Sequence, residues 1–292
     1  LLPEGVEELL PEEAHKLEML RRRLLDLYEG WGYELVLTPL VEFLESLLVG
    51  PSQDLDVHTC KITDQLSGRM MGVRADMTPQ VARIDAHCLN RKGPVRLCYA
   101  DTVMHTKPRG LLTSRLPFRA GAEFYGERSI SCDVELVCLM LETLAVADVG
   151  NIQIVLGHVG IYRSLVRAAS LEPLSEVKLH DAVQRKAYDE IDEVLRSVVK
   201  DQDLRSLLSV LTRLSGDESI LVDAVKKFSA APLDIKKKLE ELTIISEAVK
   251  ERNPAVTVCF DLCELRGYDY HTGIVFAAYT PAYGRAIAKG GR

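Results

Sequence analysis

Strand-type segments run through the chain to about residue 156 and return at 256, but between about 172 and 252 they vanish. This interruption constrains the fold most. Ahead of it, Leu17, Leu20, Leu24, Leu27 and Trp31 recur at alternating spacings of three and four. That spacing predicts one amphipathic helix. Pro11, Glu12 and Glu13 open it, with proline in the first turn and acids at the positive dipole end, and Gly30 and Gly32 end it. Tyr33 to Pro39 predicts a strand stopped by its proline. A hairpin is expected from 57–61 and 69–74 around Gln65-Leu66-Ser67-Gly68. A helix follows from Thr78-Pro79 to about Leu89, then strands at Val95–Met104 and Arg115–Tyr125 joined by a loop holding Pro108 and Gly110. A helix from Ser131 or Cys132, a strand through Ile152, Ile154 and Leu156, and a helix at about 159–170 complete this part.

Within the interruption, apolar positions from Val183 to Val198, Leu204 to Leu214 and Ile235 to Val249 mark three helices. Strands resume at Val256–Phe260 and Tyr268–Tyr279. A sheet interrupted by a helical block predicts an α+β fold. Its main domain comprises 1–171 and 253–292, and 172–252 is a helical insertion. The chain stops in mid-pattern at Gly290-Gly291-Arg292, which reads as a fragment.

Several function classes are disfavoured. Lys+Arg number 36 against 43 Asp+Glu, a net charge of -7, so there is no general basic surface and no nucleic-acid partner is expected. No apolar run approaches the ~20 residues that span a bilayer, and no signal peptide is visible, so no membrane association is expected. The seven cysteines form no Cys-x-x-Cys pair, which suits reduced thiols in the cytoplasm. The chain lacks a Gly-x-x-x-x-Gly-Lys loop, a His-Glu-x-x-His signature, a dinucleotide fingerprint and a Gly-x-Ser-x-Gly elbow. No metal, cofactor or catalytic residue is expected.

Three clusters concentrate polar groups among strand residues. In Arg74-Ala75-Asp76-Met77-Thr78, Asp76 and Thr78 suit a ligand ammonium, although the residues alone favour helix capping. In Arg119-Ala120-Gly121-Ala122-Glu123, alternation puts Arg119, Gly121 and Glu123 on one face. That face is either a wall closely approached by a ligand or the wet side of an antiparallel sheet. The third cluster runs from Glu264 to Gly273, crowding Arg266, Tyr268, Tyr270 and His271 between glycines. Arginine can grip a carboxylate bidentately and tyrosine can wall a planar ring, so here the functional reading is preferred.

At these clusters the chain resembles the histidyl-tRNA synthetases. Arg266-Gly267-Tyr268-Asp269-Tyr270-His271-Thr272-Gly273 is similar to their histidine-specific signature Arg-Gly-Leu-Asp-Tyr-Tyr-Thr-Gly, and Arg74 to Thr78 to their Arg-Pro-Glu-Gly-Thr. Gly121-Ala122-Glu123 resembles the second class II motif strand, Gly32 to Pro39 the dimer-forming first motif, and Gly290-Gly291-Arg292 the approach to the third. The resemblance implies a class II aminoacyl-tRNA synthetase-like antiparallel sheet flanked by helices, in a dimer. It implies a histidine pocket in which Asp76, Thr78 and Glu123 surround the ammonium and imidazole, Arg266 faces the carboxylate, and Tyr270 and His271 line the side-chain end, with Arg119 and Tyr268 also among the histidine-binding residues. Arg119 stands where the family usually carries Gln, so a cation enters that pocket wall.

A synthetase must also neutralise ATP, which its second motif does with Phe-Arg-x-Glu. Here the segment reads Val103-Met104-His105-Thr106-Lys107-Pro108, with Met104 at the arginine position and Thr106 at the glutamate position. Losing one such donor typically costs about 10²–10³ in rate. Lys107, Arg109 and Arg115 are the cations able to compensate. The stretches Asp64–Arg69, Arg74–His87 and Glu264–Phe276 resemble more closely the branch of this family formed by the regulatory subunits of ATP phosphoribosyltransferase. That resemblance implies a short-form catalytic partner, L-histidine as feedback effector, a self-dimer within a hetero-oligomer, and no chemistry by this chain alone. The alternative is the catalytic domain of a histidyl-tRNA synthetase.

Overall fold

The computed structural model describes residues 1–48, 53–108, 113–229, 231–265, 267–268 and 270–292. Arg266 and Asp269 of the signature, and Arg109 and Gly110, therefore lie outside the described residues. The chain divides into two compact units, one of residues 1–128 with 142–148, the other of 129–141 with 149–292. Among the described residues no helix is long and apolar enough to cross a membrane.

In the first unit, α1 (Pro11–Gly30) buries Leu24 and Tyr28. Of the strand expected at 33–39, only Glu34–Leu35 forms one. This strand, β1, runs parallel to the later segment Val95–Thr102, and after Pro39 the chain enters a second sheet as β2 (Val41–Phe43). Proline has no N–H for a ladder, so the crossing falls there. Two short helices, α2 (Leu44–Leu47) and α3 (Gln53–His58), come next, so 57–58 end a helix instead of opening a strand. The hairpin of β3 (Cys60–Thr63) and β4 (Met70–Val73) closes around Asp64, whose carboxylate accepts the N–H groups of Leu66 and Ser67. α4 (Thr78–Arg83) passes into a π-helical turn (Ile84–Leu89) that stops at Asn90, φ 46°. β5 (Val95–Thr102) and β6 (Phe118–Tyr125) pair antiparallel along their whole length, Val95 opposite Tyr125 and Thr102 opposite Phe118. Met77, Val81, Val95, Leu97, Tyr99 and Val103 form a core beside this pair.

Helix α5 (Ile130–Val146) gives residues to both units, and from 149 the chain belongs to the second. There β7 (Gln153–His158), α6 (Val159–Ala168), α7 (Pro173–Gln184), α8 (Tyr188–Val198), α9 (Gln202–Leu211), β8 (Ser215–Gly216), α10 (Ser219–Lys227), α11 (Leu233–Arg252), β9 (Thr257–Asp261), β10 (Ile274–Thr280) and β11 (Tyr283–Gly291) follow in order. The sheet order is β11-β10-β7-β9-β8, antiparallel except for β7 with β9. Ile154, Leu156, Val258, Phe260, Ile274 and Ala278 alternate onto one fully buried face.

The architecture is α+β. Three further local expectations need correction. The single helix read from Val183 to Val198 is two helices, broken where Lys186 takes φ 51°. The 172–252 segment is not purely helical, because β8 pairs with β9. The strand expected from Tyr268 begins only at Ile274. Gly267 adopts φ 71°, and both Tyr270 and His271 turn their N–H groups back onto its carbonyl. A left-handed glycine ties those donors into a turn and withholds them from a ladder.

Candidate functional site

In the first unit, the structure brings Asp76, Thr78, Arg119 and Glu123 together. Asp76 closes the start of α4, its Oδ1 accepting the N–H groups of Met77 at 2.7 Å and Thr78 at 3.3 Å. The N-cap of α4 falls at Met77 and has no side-chain cap, so Asp76 braces the turn just before the helix, and with only one oxygen. Oδ2 accepts from Arg119 Nη1 at 3.3 Å, both side chains being partly exposed. The guanidinium that replaces the family's Gln is thus balanced by Asp76.

Glu123 is the centre of this cluster. Its Oε1 accepts from Thr78 Oγ1 at 2.8 Å and from the Tyr99 hydroxyl at 3.2 Å. The carboxyl keeps some contact with solvent, yet the protein packed around it pushes its pKa up to about 7. Burial is the main cause and the Asp76 charge adds to it, while the Thr78 and Tyr99 hydrogen bonds oppose it. A carboxylate reluctant to ionise on an open wall is stabilised by any cation placed against it.

Tyr99 is a member of the cluster that the sequence reading missed. It lies directly opposite Gly121 in the β5–β6 ladder. A Cβ on Gly121 would come within 2.5 Å of the Tyr99 ring, so glycine lets the ring lie across β6 and its hydroxyl reach Glu123. The signal was present as a tyrosine on a strand opposite a glycine, readable only once the register is known.

Arg74 belongs to the scaffold. Its side chain is 4% exposed. Nε donates to Thr102 O, Nη1 to Thr38 O and Oγ1, and Nη2 pairs with Asp101 at 2.6 Å. It clamps the crossing between the two small sheets to the end of β5, next to the Asp76 turn. Burial raises the Asp101 carboxyl, but the hydrogen bond and charge of Arg74 prevail and hold it below the usual range.

Of the cations able to replace an ATP-binding arginine at Met104, Arg115 is engaged elsewhere. It donates to the carbonyls of His105 at 3.0 Å and Glu4 at 3.3 Å. Met104 itself bonds through its backbone to Arg74 O.

In the second unit, Tyr268, Tyr270 and His271 share the turn opened by Gly267. Tyr270 and His271 stack obliquely at 4.3 Å, and Tyr270 is exposed. A Cβ on Gly267 would meet His271 Nδ1 at 2.6 Å and Tyr270 Cζ at 2.7 Å, so both rings fold over a position that must be glycine. Tyr268 has partners of its own. Its hydroxyl donates to Glu176 of α7 at 2.9 Å, and burial pushes that phenol up to about 12.

A family model described as histidyl-tRNA synthetase matches residues 5–292. An ATP phosphoribosyltransferase regulatory subunit of Stutzerimonas stutzeri is 54% identical over the whole chain, which covers 73% of that protein. The protein of the same name from Azotobacter vinelandii is 53% identical with the same coverage. Among solved structures, an ATP phosphoribosyltransferase regulatory subunit/histidyl-tRNA synthetase from Bacillus halodurans superposes with TM-score 0.87 at 27% identity, covering all of this chain and 75% of that one. An ATP phosphoribosyl transferase complex from Thermotoga maritima matches with TM-score 0.72 at 19% identity, covering 98% and 93%. The latter likeness is one of fold.

Proposed function

The chain belongs to the histidyl-tRNA synthetase family, in its branch of ATP phosphoribosyltransferase regulatory subunits, and from that premise we propose that it senses L-histidine through the Glu123 cluster. Its fold is that of the class II synthetases and its role in the transferase is regulatory rather than catalytic. The observation that carries the histidine reading is the convergence of Thr78, Tyr99 and Glu123 beside Asp76. It supplies a carboxylate, oriented by two hydroxyls, for the ligand's ammonium. Arg266, Tyr270 and His271 enter as recognisers of the carboxylate and the ring on the strength of the family signature. Residues 172–252, helical apart from β8, are the insertion of this arrangement. The seven cysteines are free, which suits the cytoplasm as its compartment.

The partner is a short-form ATP phosphoribosyltransferase catalytic subunit. Mixing the two chains should restore phosphoribosyl-ATP formation, and histidine should suppress it. Turnover that ignores this chain, or that is indifferent to histidine when the chain is present, contradicts the proposal.

Arg119 sets the affinity. It competes with the ligand for Asp76 Oδ2 and adds a like charge near the ammonium. Arg119→Gln should tighten histidine binding about three- to tenfold, roughly 1 kcal/mol, by calorimetry. Unchanged or weaker binding would mean that Asp76 and Arg119 stand apart from the ligand.

Self-association is proposed through the face carrying β1 and the Pro39 crossing. Leu37 is 72% exposed and Leu40 55% exposed, with Leu35, Ile62 and Met70 also open. Solvated leucines so closely spaced in sequence suit a buried interface. Leu37→Glu should convert the dimer to monomer in sedimentation velocity at micromolar concentration. A variant that sediments like the wild type removes this face from the interface.

A further inference from the structure

The end of β11 runs back against the signature turn, and the contacts made there lie within the second unit. Arg292 O accepts the N–H groups of Thr272 at 2.7 Å and Gly273 at 2.8 Å, and Arg292 N–H donates to Ile274 O. Side by side with these bonds the two stretches pack closely. A Cβ on Gly291 would lie 2.8 Å from His271 Cε1 and Nε2, and one on Gly273 would lie 3.0 Å from Arg292 Cζ. The His271 ring therefore rests on residue 291, and the Arg292 guanidinium rests on Gly273.

The Arg292 side chain also joins two helices. Its Nε donates to Asp133 of α5 at 3.0 Å, and its Nη2 donates to Glu241 Oε2 of α11 at 3.3 Å. The Asp133 side chain is buried, and that burial pushes its carboxyl up to about 6 against the pull of Arg292. Glu241 Oε2 is shared, because His158 Nε2 lies 3.4 Å from it. His158 Nδ1 accepts Gly160 N–H at the start of α6, so the ring proton sits on Nε2 and faces Glu241. Burial keeps this imidazole neutral by lowering its pKa, although Glu241 pulls the other way. Val159 N–H donates to Gly273 O at 3.1 Å and closes the circuit. Gly273, Arg292, Glu241, His158 and Val159 thus form one ring of contacts.

We propose that Arg292 positions residues 271–273 of the turn, and that through Glu241 the state of those residues reaches α11 of the 172–252 segment and the His158 cap of α6. Arg292 and Glu241 are positioning residues in this scheme, since they act on the turn and not on a ligand. The inference rests on the reading that this turn helps to recognise histidine. The physical case is that two carboxylates share one guanidinium. A shift of Gly273 displaces the Cζ lying against it, and of the two ion pairs the longer one, to Glu241, yields first.

Hydrogen exchange on the full-length protein tests the positioning role without ligand. Lysine at 292 can pair with Asp133 but has no fork to serve Glu241 as well, so Arg292→Lys should speed exchange at 271–274 about tenfold. Exchange there at the wild-type rate overturns the positioning role. Glu241→Ala leaves Arg292 on Asp133 and should keep 271–274 within about twofold of the wild type. The relay is read by NMR of isotope-labelled histidine side chains with unlabelled L-histidine as ligand, the His158 signal being identified by its loss in His158→Asn. In the wild type, saturating L-histidine should shift the His158 signal and slow the α11 amides near Glu241. In Glu241→Ala neither should respond, although calorimetry still detects binding. In Arg292→Lys the affinity should also fall about fivefold. A wild-type His158 signal that stays in place despite binding heat overturns the relay, and a shift that persists in Glu241→Ala removes Glu241 from it. A wild type without binding heat overturns the reading of the site and the relay with it, while exchange in the ligand-free protein still decides the positioning role.

Discussion

Arg74→Ala should destabilise the first unit by about 3 kcal/mol. The guanidinium is almost entirely enclosed and serves Thr38, Thr102 and Asp101 at once. Its removal leaves two buried carbonyls without their donors and a carboxylate without its counter-charge, and each orphaned buried group typically costs ~1–3 kcal/mol. Asp101 is half-exposed, so water recovers part of its share and the sum stays near the lower end. Trp31 is the chain's single tryptophan and bonds to Glu142 within this unit, so its fluorescence follows the right transition in urea. The Asp101 component has a defined sign. Its folded carboxyl is held low by Arg74, so the stability it adds is present above the ordinary aspartate pKa and is lost as pH falls through the folded value. Arg74→Lys keeps a charge but not the fork of donors, and should recover only part of the loss. An Arg74→Ala midpoint equal to the wild type would show that the clamp contributes nothing.

Glu123→Gln should weaken histidine binding 30- to 100-fold, about 2–3 kcal/mol, by replacing the charge that faces the ammonium with a neutral isostere. The same residue dictates a pH dependence. A carboxyl raised to about 7 favours the protonated form in the folded chain, so its contribution to stability is full below the ordinary glutamate pKa and is lost as pH rises through about 7. A bound cation reverses that preference and expels the proton. Wild-type affinity should therefore climb up to about tenfold per unit below pH 7 and level off above it. Histidine's own imidazole titrates nearby, but equally in both proteins. The difference in proton release between wild type and Glu123→Gln, from calorimetry in buffers of unlike ionisation enthalpy, isolates Glu123. Equal proton release would place the ligand away from this carboxyl.

The elements that sequence reading located are those with strong periodicity or explicit punctuation. α1 carries its alternating leucines between a proline and two glycines, and the β3–β4 hairpin carries Asp64 and Gly68 at its turn. The elements it misjudged lack a local cause. Lys186 breaks α7 from α8 without glycine or proline, and β8 is two residues long and exists because β9 lies beside it. The same division runs through the site. Asp76, Thr78 and Glu123 stand in recognisable motifs, and the structure gathers them. Tyr99 sits in an ordinary strand, and only the pairing of Tyr99 with Gly121 brings its hydroxyl to Glu123. Tyr268 has the composition of a pocket residue, but its hydroxyl is committed to Glu176, a partner 92 residues earlier that no local pattern indicates.

The most direct test of the regulatory account joins two readings on one preparation of the full-length protein, histidine binding by calorimetry and histidine-dependent ATP–pyrophosphate exchange. With Met104 where the synthetase motif would carry its arginine, and Arg115 bonded to His105 and Glu4, the account predicts binding without exchange. Robust exchange would contradict it, since the chain would then be activating histidine as a synthetase does.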